Sequence, residues 1–249
     1  MLRLLVGVLC ACAALFVSPE RPRAQTQASA EPTVSRGPVL LELFTSQGCS
    51  ACPPADRLLA ELSQRPELLA LSFHVSYWDH MGWSDPFAIP ASVRRQRGYA
   101  RAMRSRSIYT PQIVVQGAAA AVGSDAAGIE RLIRDAAPAV ALAIAREPGR
   151  ADRFTVTIPE VKDAPLPLEL WAVLYVRTGG GFVANGENAG HMLTHVNVVR
   201  HAAVVASVET TPLVVRIEPP LAADIDSVAM ILQGRNLGPV VGTGRLALR

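Results

Sequence analysis

Two cysteines separated by two residues, Cys49-Ser50-Ala51-Cys52, are the residues of this chain best suited to chemistry. An apolar run, 39–44, precedes them, and a helix-like stretch, 53–62, follows. A thiolate at a helix N-terminus faces unpaired backbone N–H groups and the positive end of the helix dipole, which stabilise the ionised sulfur. The spacing also lets the two sulfurs join. It predicts a redox-active pair in which Cys49, the more exposed sulfur, attacks and Cys52 resolves the mixed disulfide.

A permanent local disulfide and half of a zinc site are the alternatives to a redox role. A structural zinc site takes four ligands, and the two remaining cysteines, Cys10 and Cys12, lie in a predicted signal segment. Pro53 and Pro54 favour a helix that begins beside the Cys pair, because proline is tolerated in a first helical turn. The strand–Cys pair–helix context therefore favours the redox interpretation.

Thr110-Pro111, directly before a short strand at 113–116, is the second candidate element. A proline in this setting is a candidate cis peptide bond. Beside a dithiol, Pro111 would offer no N–H to compete for the sulfur, and the backbone of Thr110 could pair with an extended substrate. An ordinary proline at a strand edge is the alternative.

Glu42 interrupts the apolar run that leads to the Cys pair. A carboxylate there is costly unless it is solvated or paired. We list Glu42 as a candidate carrier of the proton of Cys52, with a carboxylate bonded to a neighbour at the sheet surface as the alternative. Asp56, one helical turn after Cys52, is expected to complement the helix N-terminus.

An insertion at 76–107 concentrates aromatic residues in a chain that is only 5% aromatic. We expect it to cover the dithiol and to bind substrate; a satellite hydrophobic cluster beneath a long loop is the alternative. The candidate substrate-binding residues are Tyr77, Trp78, Trp83 and Tyr109. A helix from Ser92 to Arg106 carries arginines on one face, and a solvated surface is favoured for them over an anion site. They are Arg94, Arg97, Arg101 and Arg104.

The order of predicted elements divides the chain into two parts. Strand 39–45, helix 54–64 and strand 68–75 form a βαβ unit, and a hairpin and a helix beginning near Ser124 follow. After residue 148 strand-like segments separated by turns dominate, which predicts a mostly antiparallel β domain. We place a linker at 31–37, an α/β domain at 38–145 and the β domain at 150–249.

Residues 1–30 are typical of an export signal followed by a short propeptide-like segment. Arg3 supplies the charge and residues 4–17 the apolar core, which is too short for a membrane span. A lipid anchor at Cys12 is disfavoured. We therefore expect a periplasmic or secreted protein with no membrane span after signal removal. The formal net charge of +3 gives no argument for a nucleic-acid partner.

The chain contains the stretches ELFTSQGCSACPPAD (42–56), YWD (77–79), GW (82–83), DPF (85–87), RQ (95–96), YTPQ (109–112), TH (194–195) and NVVR (197–200). Together they resemble a bacterial secreted thioredoxin-like family of unknown function, domain of unknown function 1223. The resemblance implies an α/β thioredoxin-like fold followed by a C-terminal, mostly antiparallel β-sandwich-like domain.

These features predict an exported thiol–disulfide oxidoreductase that acts on envelope proteins or small thiols and needs no cofactor or metal. One alternative is a copper-binding envelope metallochaperone that uses the Cys pair and a histidine, since two thiols and an imidazole suit copper. His191 and His195 are the nearest to a ligand pattern. A noncatalytic interaction module with a structural disulfide is the other alternative.

Overall fold

Strands dominate the computed structural model, which describes residues 35–249. About 40% of these residues lie in strands and 17% in helices. The predicted signal segment, with Cys10 and Cys12, lies outside the described residues. No helix between residues 35 and 249 is both long and apolar enough to cross a membrane.

Twelve strands and three α-helices make up the described chain. The strands are β1 (Val39–Thr45), β2 (Leu68–His74), β3 (Gln112–Val115), β4 (Ala119–Val122), β5 (Val140–Ala141), β6 (Ala143–Arg146), β7 (Phe154–Ile158), β8 (Leu168–Phe182), β9 (Met192–Val208), β10 (Leu213–Ile217), β11 (Ser227–Gly234) and β12 (Val240–Ala247). The helices are α1 (Pro53–Leu62), α2 (Pro90–Ala102) and α3 (Ala126–Asp135), with a single 3₁₀ turn at Asp79–Met81.

Nine of the strands form one sheet in the order β4-β3-β1-β2-β9-β8-β11-β12-β5, and β10-β7-β6 form a second, smaller sheet. β1 runs parallel to β2 and antiparallel to β3. β2 is joined to β9 in parallel through Ser72 and Val198. Asn197 strengthens this junction, because its side-chain amide donates to the carbonyl of Ala70 at 2.8 Å.

The predicted fold class is wrong. We expected a thioredoxin-like α/β fold with a separate C-terminal β-sandwich-like domain, but the described chain is mostly β and one sheet spans both parts. The long strands β8 and β9 explain the difference, since β9 pairs with β2 on one side and with β8 on the other. Residues of the described chain accordingly form one compact unit.

Three apolar clusters hold the elements together. On one face of β1, Leu41 and Leu43 pack with Leu59 of α1. On the opposite face, Leu40 and Phe44 pack in the cluster that includes Tyr99 of α2. The smaller sheet packs its own apolar residues in a third cluster, against β8 and β11. Because successive side chains of a strand point to opposite faces, β1 separates the surroundings of α1 from those of α2.

Candidate functional site

Cys49 and Cys52 form a disulfide at the start of α1, with their Cα atoms 5.4 Å apart. β1 delivers the chain into the turn that holds Cys49, and Cys52 stands at the N-cap of α1. The carbonyl of Cys52 accepts backbone hydrogen bonds from Ala55 at 2.9 Å and from Asp56 at 3.1 Å. The first turn of the helix is therefore built directly on the second cysteine.

Both cysteines are buried, at 1% exposure for Cys49 and 0% for Cys52. We expected Cys49 to be the more exposed of the two sulfurs, but both cysteines are enclosed to nearly the same extent. Ser50 and Ala51, between the two, are exposed. Any reagent that attacks the disulfide must first displace the residues that cover it.

One part of the cover is the turn between β8 and β9, which the sequence did not identify as part of the site. Asn188 donates through its side-chain nitrogen to the carbonyls of Gln47 and Cys49, both at 2.9 Å. The Oε2 atom of Glu187 accepts hydrogen bonds from the backbone N–H of Ser50 at 3.1 Å and from the Ser50 hydroxyl at 2.7 Å. These hydrogen bonds lower the pKa of Glu187. The side chains of this turn are thus hydrogen-bonded to backbone groups of the Cys loop.

Trp78 and Trp83 of the aromatic insertion supply the other part of the cover. A Cβ atom at Gly48 would lie 3.0 Å from the Cβ of Trp78, so glycine allows this indole to pack on the Cys loop. The Trp78 Nε1–H donates to the hydroxyl of Thr110 at 2.7 Å. The Trp83 Nε1–H donates to Oε1 of Gln47 at 3.0 Å. Both indole N–H groups are therefore already used within the protein.

The two predicted tyrosines lie farther along the same surface. Tyr77 packs at the edge of the cluster that contains α2, and Tyr109 offers its carbonyl to the side chain of Gln96 at 2.8 Å. Burial raises the pKa of both phenols, so they remain protonated at neutral pH. No described hydrogen bond joins either tyrosine to the Cys loop.

The Thr110–Pro111 peptide bond is cis, which confirms that prediction. Pro111 lies alongside the first turn of α1, with Gly123 between them. A Cβ atom added at Gly123 would be 3.0 Å from the Cβ of Ala55 and 3.0 Å from the Cβ of Pro111. Gly123 also donates its backbone N–H to the carbonyl of Pro111 at 2.9 Å. The structure therefore brings Pro111 and the Cys-bearing helix together.

Glu42 is not brought to the cysteines. It lies on the α2 side of β1, where its Oε1 accepts from Nε of Arg95 at 2.5 Å. Its other oxygen accepts from Arg95 Nη2 at 3.2 Å and from the hydroxyl of Tyr99. Burial opposes the charge on Arg95, but the charges and hydrogen bonds of Glu42 and Tyr99 together outweigh it and raise the pKa of Arg95. The prediction that Glu42 carries a cysteine proton is corrected, since Arg95 and Tyr99 occupy the carboxylate.

The acid beside the Cys pair is Asp56, which is 6% exposed. Its Oδ2 accepts from the hydroxyl of Thr45 at 3.3 Å, and its Oδ1 lies 3.6 Å from Nδ1 of His195. Neither Oδ1 nor this ring nitrogen has a hydrogen-bond partner. Because residues four apart share a helix face, Asp56 lies one turn along the helix from Cys52.

A second buried pair, His74 and Asp85, is joined to the Cys loop through the backbone of Gln47. Nδ1 of His74 lies 2.7 Å from Oδ2 of Asp85, which also accepts the backbone N–H of Gln47 at 2.8 Å. Burial disfavours the Asp85 charge, but the hydrogen bonds and charge of His74 outweigh it, so the pKa of Asp85 is lowered. The ring of His74 meets that of His195 edge to face, with centroids 4.4 Å apart.

The two histidines considered for copper are placed differently. His191 is exposed, whereas His195 is buried against Asp56. Within the described range, 35–249, no three or more histidine, cysteine and acidic side chains are grouped so that they could hold a metal ion. The copper alternative stays a prediction.

Comparisons with known proteins add a family and two structural relatives. A family model described as "Protein of unknown function (DUF1223)" matches residues 40–233. A crystal structure of a structural genomics target from Agrobacterium tumefaciens is similar, with 26% identity, a TM-score of 0.72, and 86% of this chain and 96% of that chain covered. HBP35 of Porphyromonas gingivalis shares the fold at 15% identity, with a TM-score of 0.58 and coverages of 85% and 75%. No curated protein matches the chain.

Proposed function

The chain belongs to the family described as Protein of unknown function (DUF1223), and we propose that it is an exported thiol–disulfide oxidoreductase acting through Cys49 and Cys52. One observation carries the proposal: a disulfide between cysteines three apart opens α1, with Pro111 and the buried Asp56 against the same helical turn. The substrates are protein or small-molecule thiols and disulfides.

In the reducing direction, a thiolate on Cys49 attacks one sulfur of a substrate disulfide. A bond forms between Cys49 and that sulfur, and the other substrate sulfur leaves as a thiolate and takes up a proton. Cys52, once deprotonated, attacks the Cys49 sulfur, releases the second substrate thiolate and closes the Cys49–Cys52 disulfide. Two electrons have then passed from the pair to the substrate. A dithiol donor restores the reduced pair, and the same steps reversed oxidise a substrate dithiol.

Both cysteines lie at the start of α1, and we assign Cys49 as the attacking group. A thiolate there is stabilised by the positive end of the helix dipole. Cys49 is followed by the exposed Ser50, so displacement of the covering turn opens a path to its sulfur. Cys52 is fully buried and carries the first helical hydrogen bonds on its carbonyl, which suits a group that reacts only with its neighbour.

Asp56 is the group that accepts the Cys52 proton in this scheme. It is a buried carboxylate one helical turn from Cys52, and its Oδ1 has no hydrogen-bond partner. The role that the sequence assigned to Glu42 therefore passes to a residue on the other face of β1.

His195 faces Asp56, and its hydrogen bond with Gln47 defines its tautomer. Gln47 accepts from the indole of Trp83, so the amide oxygen is occupied and the amide nitrogen faces Nε2 of His195 at 3.3 Å. An amide nitrogen only donates, so Nε2 of His195 accepts. The proton of the neutral ring then lies on Nδ1, which points to Oδ1 of Asp56 at 3.6 Å. His195 is a positioning residue, since it acts through Asp56.

The test is catalysis of insulin reduction by dithiothreitol, together with a redox titration of the Cys pair against glutathione. The native protein should accelerate insulin reduction, and Cys49→Ser should abolish the acceleration. Ala51→Ser, an exposed change between the cysteines, is the matched control and should retain it. Cys52→Ser should accumulate mixed disulfides at Cys49. A native protein that exchanges with neither insulin nor glutathione would refute the proposal and leave a structural disulfide.

A further inference from the structure

A cavity of about 680 Å³ lies between α2, strands β8 and β9, and the turn between β11 and β12. This volume is that of a site for a small organic molecule. Its polar and aromatic lining residues are Arg94, Arg95, Arg101, Glu169, Trp171 and Asn236. The cavity lies on the α2 side of the large sheet, whereas the disulfide helix packs on the other side of β1.

Small residues create the space. Gly98 lets α2 touch the β11–β12 turn, because a Cβ atom there would lie 2.5 Å from Cδ1 of Leu237. Beyond this contact the walls carry alanines, Ala102 on the helix and Ala202 and Ala203 on β9. Alanine side chains are too short to fill the gap between α2 and the large sheet. The packing therefore leaves a preformed cavity.

Two arginines at the rim of the cavity have no ion-pair partner among the described residues. Arg94 and Arg101 are seven residues apart, so they lie on one side of α2, and both are exposed. Among the ion pairs of the described residues, α2 contributes only Arg95, whose partner is Glu42. The sequence favoured a solvated face for these arginines, but the structure sets two of them at the mouth of a cavity.

The inner wall also carries hydrogen-bond donors that have no partner among the described residues. The guanidinium of Arg95 stacks on the indole of Trp171, with its Cζ 4.6 Å from the ring centroid. Arg95 is 2% exposed. Arg95 Nη1 and Trp171 Nε1 are both buried donors without a partner in the described chain. Such donors are unusual, because nearly all buried polar groups are hydrogen-bonded.

We propose that this cavity binds a small organic carboxylate with an apolar body. The carboxylate would pair with Arg94 or Arg101, since the arginine fork matches its two oxygens. The apolar body would lie against Ala202 and Leu237, both of which line the cavity. Glu169, the only acid in the lining, disfavours ligands with several negative charges such as nucleotide polyphosphates. This site is independent of thiol exchange.

A fluorescent organic anion, 8-anilinonaphthalene-1-sulfonate, serves as the probe on the full chain at fixed salt. We expect saturable binding at one site, displaced by octanoate but not by an equal concentration of octan-1-ol. Inorganic phosphate should not displace the probe. Arg94→Glu with Arg101→Glu should weaken probe binding by about tenfold or more, because two attractive charges become repulsive. Ala102→Trp should block binding by filling the cavity.

Arg97→Glu is the matched control. Arg97 is exposed on the same helix but does not line the cavity, so its reversal should leave probe affinity within about twofold of the native value. Near-ultraviolet circular dichroism establishes that each variant is folded. Three results would overturn the proposal: no saturable binding, equal weakening by the Arg97 and the Arg94/Arg101 reversals, or equal displacement by octanoate and octan-1-ol.

Discussion

At the scale of single residues, the buried carboxylates of Glu42 and Asp56 lie on opposite faces of β1 and have different partners. Glu42 is paired with Arg95, whereas Asp56 has an oxygen with no partner and lies next to the Cys pair. The sequence located both acids but not their surroundings, because which face of β1 each one serves depends on how α1 and α2 pack. Cys49, Cys52 and Pro111 were predictable, since local spacing and a following strand define them.

Asp56→Asn should slow thiol exchange on the order of a hundredfold, because Cys52 loses its proton acceptor. The mixed disulfide at Cys49 should accumulate during turnover. Raising the pH should recover part of the lost rate in this variant, because hydroxide can then take the Cys52 proton, whereas a purely structural defect would not respond in this way. Stopped-flow kinetics from pH 5 to 9 measure both effects. Glu61→Gln, an exposed change on α1, is the control, and equal rates in the two variants would contradict the role of Asp56.

Arg95→Met should lower the free energy of unfolding by about 3–5 kcal/mol, because it leaves the charge of Glu42 buried without a partner. The double change of Glu42→Leu with Arg95→Met should recover most of this loss. Urea denaturation monitored by circular dichroism gives these values. The double variant should also keep its thiol-exchange rate; a large loss of rate in a folded double variant would restore Glu42 as a proton carrier.

At the scale of elements, the sequence predicted most helices and strands but not the contacts between distant ones. α2 was expected over Ser92 to Arg106 and spans Pro90–Ala102. α3 begins after Asp125, whose carboxylate accepts from Gly128, rather than after Ser124. Glu187 and Asn188 close over the Cys loop from a turn far along the chain, and no local pattern marks them.

Asn188→Ala should make the disulfide react about tenfold faster with a small reductant, because two hydrogen bonds that hold the cover are lost. The rate of reduction by tris(2-carboxyethyl)phosphine measures access to the sulfurs. Asn185→Ala alters an exposed residue of the same turn and should leave the rate unchanged. If both variants behave like the native protein, the β8–β9 turn does not limit access.

Glu187 should make this access depend on pH. Its pKa is lowered in the folded protein by the hydrogen bonds of Ser50, so these contacts are complete above the ordinary pKa of a glutamate and are lost as the pH falls through the lowered value. The ratio of phosphine reduction rates, Glu187→Gln over native, should therefore exceed one at pH 7 and approach one in acid. A ratio that does not change with pH would exclude Glu187 as the titrating contact.

At the scale of the whole molecule, the large sheet makes the two predicted parts interdependent. Leu69 of β2 shares one apolar cluster with Val173 of β8 and Ala229 of β11. Fragments 35–149 and 150–249 should therefore each fail to give the cooperative thermal unfolding of the full chain, and mixing them should restore helical and near-ultraviolet circular dichroism. Cooperative unfolding of either fragment alone would show that the shared cluster is dispensable.

The junction of β2 with β9 also has a consequence for the order of events during synthesis. β1, β2 and the Cys pair leave the ribosome well before Asn188 and Val198 exist. In that interval β2 lacks its β9 neighbour, and the two thiols lack the part of their cover that Glu187 and Asn188 supply. Nascent chains halted before residue 183 should thus be labelled at Cys49 and Cys52 by a thiol reagent that the completed, reduced protein resists.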